Sequence, residues 1–135
     1  MGQAFDAAGF EVCVTDVDGD ALDQCPNQWR KMTANAAGED DMQRVFSNLD
    51  GLDVLCANAG IAGPTAQVED VDLDDWRGCV SVNLEGAFLA VKHVLPGMKA
   101  AGHGSVVFTS STAGIYGYPN RAPYAAAKWA IIGLM

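Results

Sequence analysis

The sequence has 135 residues, half of them hydrophobic, so it can form one modest domain with one core. Its net charge is −9, and the eight basic residues are scattered, which argues against a nucleic-acid partner because phosphate binding requires clustered Lys and Arg. No apolar run reaches the length of a membrane span, residues 1–10 lack the basic region and long apolar stretch of a signal peptide, and the four cysteines form no C-x-x-C pair. We therefore expect a cytoplasmic protein with free thiols and no membrane partner.

Helix patterns alternate with strand patterns along the chain. In the first part they predict a helix that begins at Met1, a strand at 10–15, a helix at 19–25, a strand at 29–33, a helix with apolar residues from Met42 to Leu49, and a strand at 52–57. They continue with a long helix from Asp72, a strand at 105–109 and a helix from Arg121 onward. On the long helix we expect Trp76, Val80, Leu84, Phe88, Val91 and Leu95 to form the apolar stripe, and Pro96 to kink the last turns. The alternation predicts an α/β fold with a parallel sheet, in a single domain over residues 1–135.

Polar side chains stand where predicted strands end. Asp16 ends the run VCVTD, Asn58 follows the strand at 52–57, and Ser110 and Ser111 follow the strand at 105–109. In open α/β sheets, ligands bind outside the carboxyl ends of the strands. We therefore expect these side chains to belong to one ligand site.

Tyr124 and Lys128 stand four residues apart at the start of the last helix. Pro123 suits the first turn of a helix, and residues at i and i+4 then share one face. A cation ~4 Å from a phenol favours the phenolate by roughly 4 kcal/mol at an effective dielectric of ~20, so such a pair can transfer a proton. A single Tyr and Lys at this spacing can equally be a solvated surface pair, and the neighbouring motifs must decide between the two.

Four motifs in one order resemble the short-chain dehydrogenase/reductase family. Asp16 ends a strand, CANAG at 56–60 resembles the family's NNAG turn, Asn83 lies in SVNLEGAF, and Ser111 precedes Tyr124 in the spacing S-x12-Y-x3-K. The resemblance covers nearly the whole chain. It implies a Rossmann-like doubly wound parallel sheet and an oxidoreductase that interconverts a small-molecule alcohol and a carbonyl by hydride transfer with NAD.

The resemblance assigns catalytic roles to four residues. Ser111 would donate a hydrogen bond to the substrate oxygen, Tyr124 would pass the proton, Lys128 would tune Tyr124 and hold the nicotinamide ribose, and Asn83 would hold a water in a proton relay. Ser110 is the adjacent alternative to Ser111, and only the interval to Tyr124 favours the latter. Without the family, Asn83 could be a solvent-facing helix residue.

The same resemblance indicates how a cofactor is held. A carboxylate at Asp16 would accept the ribose hydroxyls of NAD and repel the 2′-phosphate of NADP, although Asp16 alone could be part of a solvated turn. Five further residues would contact the cofactor: Asn35 and Ala36, which stand where the family has Asp and Val beside adenine, and the turn Asn58, Ala59 and Gly60. His93 and His103 lack metal-ligand spacing, so no metal is expected.

Some family elements have no counterpart in the chain. The glycine-rich phosphate loop with its strand and the carboxyl-terminal strands are missing, so we expect an incomplete fold. The family's sheet order of 3-2-1-4-5 would leave a gap between the strands at 10–15 and 52–57, which predicts an inactive isolated chain. A full-length form is expected to be a homo-oligomer, with Ile115, Tyr116, Tyr118 and Arg121 lining the cleft. The alternatives are a non-catalytic scaffold on the same fold and a sugar-nucleotide epimerase of the extended family.

Overall fold

A computed structural model describes residues 1–135. Its strands are β1 (Cys13–Asp16), β2 (Arg30–Thr33), β3 (Val54–Ala57) and β4 (Ser105–Phe108). Its α-helices are α1 (Gly2–Ala7), α2 (Gly19–Asp23), α3 (Glu39–Ser47), α4 (Leu73–Val80), α5 (Gly86–Ala101) and α6 (Ala122–Leu134). The predicted alternation is confirmed, although each strand is one or two residues shorter than its pattern suggested. None of the helices is both long and apolar enough to cross a membrane.

The strands form two separate parallel pairs. In one pair β1 lies beside β2, with Cys13 opposite Arg30, and in the other β3 lies beside β4, with Val54 opposite Ser105. No backbone ladder joins β1 to β3, so both strands have an open edge on the side where the sheet was expected to be interrupted. The result is a Rossmann-type α/β arrangement whose sheets are small.

The long predicted helix contains a change of pitch. Between α4 and α5 the segment Ser81–Glu85 is a π-helix, in which the backbone bonds run from i to i+5 rather than i+4. The helix then continues through Pro96 to Ala101 and ends on Gly102, which has a φ of 76°. A left-handed C-terminal residue of this kind satisfies the last helical carbonyls and favours glycine.

The buried face of this helix differs from the predicted stripe. Phe88 is half exposed, whereas the residues turned into the protein are mostly the ones beside the stripe: Cys79, Asn83, Gly86, Ala87, Leu89, Ala90, Val94 and Met98. The other five residues of the stripe are partly buried, so the buried face is displaced from the prediction rather than absent. A Cβ added at Gly86 would lie 3.2 Å from the Cβ of Ala36, so the helix approaches the loop after β2 closely.

Two small apolar clusters form the core. One joins Ala34, Met42, Val45 and Leu89 between β2, α3 and α5. The other joins Leu55, Ala90, Val94 and Met98 between β3 and α5. Because α5 contributes to both clusters, it holds the two strand pairs in one structure and fixes where their carboxyl ends lie.

Candidate active site

A cleft of about 330 Å³ opens at the carboxyl ends of β3 and β4. Its walls come from the loops after both strands, the π-helix and the first turns of α6. Six of the predicted site residues line it together: Asn58, Gly60, Asn83, Ser111, Tyr124 and Lys128. The remaining lining residues are Ile61, Ala62, Thr109, Ser110, Tyr118 and Arg121.

Tyr124 and Lys128 share the inner face of α6. Pro123 lies in the first turn, as its missing N–H predicts, and the Lys128 Nζ lies 5.6 Å from the centroid of the Tyr124 ring. Lys128 is only 3% exposed, and its ammonium donates to the carbonyl oxygen of Thr109 at 2.9 Å. Since an ammonium has three N–H groups, two remain for a ligand.

The two serines after β4 have different hydrogen bonds. The Ser110 hydroxyl donates to the backbone carbonyl of Lys128 at 2.8 Å, so its proton is already used to tie β4 to α6. The Ser111 Oγ instead accepts from the backbone N–H of Ala113 at 3.2 Å. Ser111 therefore keeps an O–H free to donate into the cleft, which the sequence interval alone could not establish.

Asn83 lies in the π-helix and is 1% exposed. Its Nδ2 donates to the carbonyl oxygens of Ile61 and Cys79, each at 2.8 Å. Its Oδ1 is buried and has no protein partner. An unsatisfied buried acceptor costs ~1 to 3 kcal/mol. A ligand or water that donates a hydrogen bond to this oxygen would remove that cost.

Gly60 allows the turn after β3 to lie against these side chains. A Cβ at this position would lie 2.7 Å from the Asn83 Oδ1 and 3.4 Å from the Lys128 Nζ. The orphan oxygen and the ammonium therefore flank the same glycine. A side chain here would collide with the Asn83 amide oxygen, so the close approach of the turn requires glycine.

Two contributors were missed by sequence reasoning. The Thr109 hydroxyl donates to the Asn58 Oδ1 at 3.0 Å, and its carbonyl accepts from Lys128, so Thr109 joins both strand ends. Cys79 lies beneath the turn: it receives the Asn83 amide on its carbonyl and on its Sγ, and its Sγ would contact a Cβ at Gly63. Burial raises the pKa of the Cys79 thiol above its usual range, so the thiol stays neutral.

The other predicted cofactor contacts lie outside this cleft. Asp16 is exposed at the end of β1, and its Oδ1 accepts from the backbone N–H of Asp18 at 3.0 Å. The Asn35 Oδ1, expected to face adenine, accepts from the backbone N–H of Ala37 at 3.0 Å. Its amide N–H₂ group and the second lone pair of its oxygen remain for a ligand. Ala36 packs on Gly86.

The expected cleft wall is confirmed in part. Tyr118 and Arg121 line the cleft, whereas Ile115 and Tyr116 are exposed and do not. Arg121 donates to the carbonyl oxygen of Ala62 at 2.7 Å and to the Thr65 hydroxyl at 3.1 Å. The side chain thereby connects the segment after the N-A-G turn to the start of α6.

A parallel-sheet fold with Ser, Tyr, Lys and Asn in one cleft defines an oxidoreductase class, and comparison with known proteins gives the family. The family model for short chain dehydrogenase matches residues 1–135. The chain belongs to the short-chain dehydrogenase family, whose members use NAD or NADP.

Three similar proteins illustrate the relationship. Over 83 residues the chain is 53% identical to trans-4-hydroxycyclohexanecarboxylate dehydrogenase of Sinomonas cyclohexanicum. The aligned part covers 62% of this chain and 31% of that protein. It is 31% identical over 137 aligned positions to cyclohexanol dehydrogenase of an Acinetobacter species, and this alignment covers 93% of the chain and 55% of the relative. The crystal structure of levodione reductase superposes with a TM-score of 0.87 at 30% identity, over 97% of this chain and 56% of that one. The chain thus spans about a third to a little over half of the relatives it matches.

Proposed function

We propose that this protein interconverts a small-molecule alcohol and its carbonyl compound, with Tyr124 as general acid or base. The observation that carries the proposal is the meeting of Ser111, Tyr124, Lys128 and Asn83 in one cleft although they come from three different segments. The relatives named for cyclohexane alcohols support a small cyclic alcohol as the substrate.

Ser111, Tyr124 and Lys128 have different roles at the substrate oxygen. In the oxidation direction, the substrate hydroxyl would give its proton to the Tyr124 oxygen, and the hydrogen on the same carbon would leave with both electrons of its C–H bond as hydride. NAD, when bound, would accept this hydride. Ser111 has a free O–H with which to hold the substrate oxygen, and Lys128 places a positive charge 5.6 Å from the centroid of the Tyr124 ring.

The cofactor preference is part of the proposal. NAD is favoured over NADP because Asp16 ends β1 as an exposed carboxylate, which would repel a 2′-phosphate. Asn35, Ala36 and the turn Asn58, Ala59 and Gly60 would contact the cofactor, and the two free N–H groups of Lys128 would hold its ribose. The unpartnered Asn83 oxygen fits a bound polar group that donates a hydrogen bond there.

Replacement of Tyr124 by Phe tests the chemistry in the protein that carries residues 1–135. Turnover of a cyclic alcohol should fall ~100-fold or more, the typical contribution of a positioned acid or base, while NAD binding should stay near the wild-type value. Tyr116→Phe is the matched control, because Tyr116 is exposed and lies outside the cleft. If Tyr124→Phe keeps more than about a tenth of the wild-type rate, Tyr124 is not the proton donor. A wild-type protein that binds NAD but turns over no alcohol would favour the scaffold function instead.

The open edges of β1 and β3 lead to a further part of the proposal. Strands that are neighbours lie ~4.8 Å apart, and a strand left without its neighbour exposes a row of unpaired N–H and C=O groups. Each such group that is buried without a partner costs ~1 to 3 kcal/mol, against a typical stability of ~5 to 15 kcal/mol. We expect residues 1–135 expressed alone to be unfolded or aggregated and to bind no NAD. A cooperative thermal transition whose midpoint rises with NAD would contradict this expectation.

The proposal also covers the cellular location and the oligomeric state of the enzyme. All four cysteines are free thiols, which supports a reducing compartment and therefore the cytoplasm. Exposed aromatic and aliphatic side chains on α5 and α6, including Phe88, Trp129 and Ile132, support assembly into a homo-oligomer. Sedimentation of the protein that carries residues 1–135 measures the assembly, and a monomer at micromolar concentration would contradict it.

A further inference from the structure

The charge of the cleft is opposite to that of the chain. The whole sequence carries a net charge of −9, but the side chains that line the cleft include two cations, Arg121 and Lys128, and no Asp or Glu. A cleft lined by one sign of charge attracts ligands of the other sign. Lys128 has a place in the proposed proton transfer, so Arg121 is the cation whose charge the proposed reaction does not use.

Arg121 differs from the other three arginines in its burial. Arg44 and Arg77 pair with Asp41 and Asp74 at 2.6 Å and 3.3 Å. Arg30 forms no salt bridge but is exposed to water, whereas Arg121 forms no salt bridge and is partly buried in the cleft. Its two bonds to Ala62 and Thr65 use two of the five N–H groups of a guanidinium. The Nε is buried and has no partner. Taking a guanidinium charge out of water costs free energy, and pairing with an anion offsets this cost. Arg121 is partly buried and has no such anion within the chain.

The position of Arg121 relative to Tyr124 sets the shape of a matching ligand. The guanidinium carbon lies 5.6 Å from the centroid of the Tyr124 ring, on the residue three places before Tyr124 in the chain. Ile61 and Tyr118 supply apolar surface in the same cleft. A ligand with its hydroxyl at Tyr124 therefore has an apolar wall for its carbon skeleton and a free cation within the same small cleft.

We infer that the substrate is a hydroxy acid: an alcohol, or the matching ketone, that also carries a carboxylate, which Arg121 binds. This inference rests on the proposed function and adds the substrate class. Arg121 is then a residue that determines specificity, because a guanidinium binds a carboxylate by charge-assisted hydrogen bonds that a neutral group cannot replace.

Matched substrates test the inference in the protein that carries residues 1–135. The value of kcat/KM is measured for 4-hydroxycyclohexanecarboxylate and for its neutral carboxamide, which have nearly the same shape. A charged hydrogen bond of ~1.5 to 3 kcal/mol corresponds to a preference of roughly 10- to 150-fold for the acid. Arg121→Gln should reduce this ratio to near one, and Arg121→Lys should leave an intermediate ratio. Arg77→Gln, at an exposed arginine on α4, should leave it unchanged.

The ratio of kcat/KM for the acid to that for the carboxamide distinguishes a loss of substrate specificity from structural damage to the cleft. Loss of the bonds to Ala62 and Thr65 would lower the rates for both substrates and leave their ratio unchanged. A wild-type ratio near one, or a ratio that Arg121→Gln does not alter, overturns the inference and leaves the proposed function intact.

A binding measurement keeps the two proposals apart. Calorimetric titration compares cyclohexanecarboxylate with cyclohexanecarboxamide on the wild-type protein and on Arg121→Gln. We expect the acid to bind at least about 10-fold more tightly to the wild type and no such preference in the variant. If the acid binds through Arg121 but no alcohol is oxidised, the proposed function is wrong and the inference about the ligand stands. Equal binding of acid and amide overturns the inference.

Discussion

The two strand pairs hold their functional side chains in different ways. Around β3 and β4, the bonds that place site groups link residues far apart in sequence: 22 positions from Asn83 to Ile61, 19 from Lys128 to Thr109 and 18 from Ser110 to Lys128. Around β1 and β2, Asp16 bonds a residue two positions away, and so does Asn35. The two buried polar side chains, Asn83 and Lys128, both belong to the first region. The side chains proposed for catalysis are therefore fixed by tertiary packing, whereas Asp16 and Asn35, proposed to contact the cofactor, are fixed by local turns.

The largest effect is expected where the tertiary packing is tightest. Gly114 is buried after β4, and a Cβ there would contact the Ser110 Oγ and lie 2.6 Å from the Lys128 carbonyl oxygen. Gly114→Ala should therefore separate β4 from α6, with a loss of ~1 to 3 kcal/mol in the free energy of unfolding and a large loss of turnover. Denaturant unfolding and steady-state kinetics measure the two effects.

Gly117→Ala is the control for this change. Gly117 lies three residues further along, and nothing is found within 4 Å of a Cβ placed there. Its unfolding free energy should stay within about 0.5 kcal/mol of wild type, as for ordinary surface changes. Equal stability of the two alanine variants would mean that the packing around Gly114 can relax.

The separation between regions also explains what could be read from the sequence. Helices and strands followed from local periodicity, and Asp16, Asn58 and Ser111 were placed at strand ends because a parallel sheet puts them there. The buried face of α4 and α5 could not be read, because it depends on the π-helix and on which neighbour packs there. The choice between Ser110 and Ser111 required the bond from Ser110 to Lys128, which joins residues 18 positions apart.

A smaller and more specific effect is expected at Asp16. Asp16→Ser removes the carboxylate that would repel a 2′-phosphate, so the ratio of kcat/KM for NAD to that for NADP should fall by about 10-fold or more, equivalent to ~1.4 kcal/mol. Stability should change little, because the side chain is exposed and serine can still accept from the Asp18 N–H. Asp20→Ser, in the exposed first turn of α2, is the control. An NADP preference in the wild type would show that Asp16 does not select the cofactor.

The smallest effect is expected at a surface contact between α3 and α5. Glu39 accepts from the Lys92 Nζ at 2.7 Å and lies 3.0 Å from the His93 Nε2. The hydrogen bond from Lys92, with a further contribution from His93, lowers the pKa of Glu39 below its usual range. A carboxyl group whose pKa is lower in the folded state stabilises the fold above its unfolded pKa, and this contribution is lost as the pH falls through the folded pKa.

Glu39→Gln should therefore lower the melting temperature slightly at pH 7 and leave it unchanged in acid below the lowered pKa. Glu69→Gln is the control, since Glu69 takes part in no salt bridge. The difference in melting temperature between wild type and each variant is followed from pH 3 to pH 7. A difference for Glu39→Gln that is the same across this range would assign the effect to helix capping or packing rather than to charge.

The π-helix at Ser81–Glu85 determines where this long helix can change in length. Each residue of an α-helix advances the direction of the side chain by about 100°, so a deletion within α5 would turn the residues on one side of it away from their partners. A deletion within Ser81–Glu85 could instead restore regular α-helical turns and leave Ala90, Val94 and Met98 against β3. What would be lost is the wide turn in which the Asn83 amide reaches the Cys79 carbonyl. We therefore expect such a deletion to move Asn83 more than the core residues beyond it.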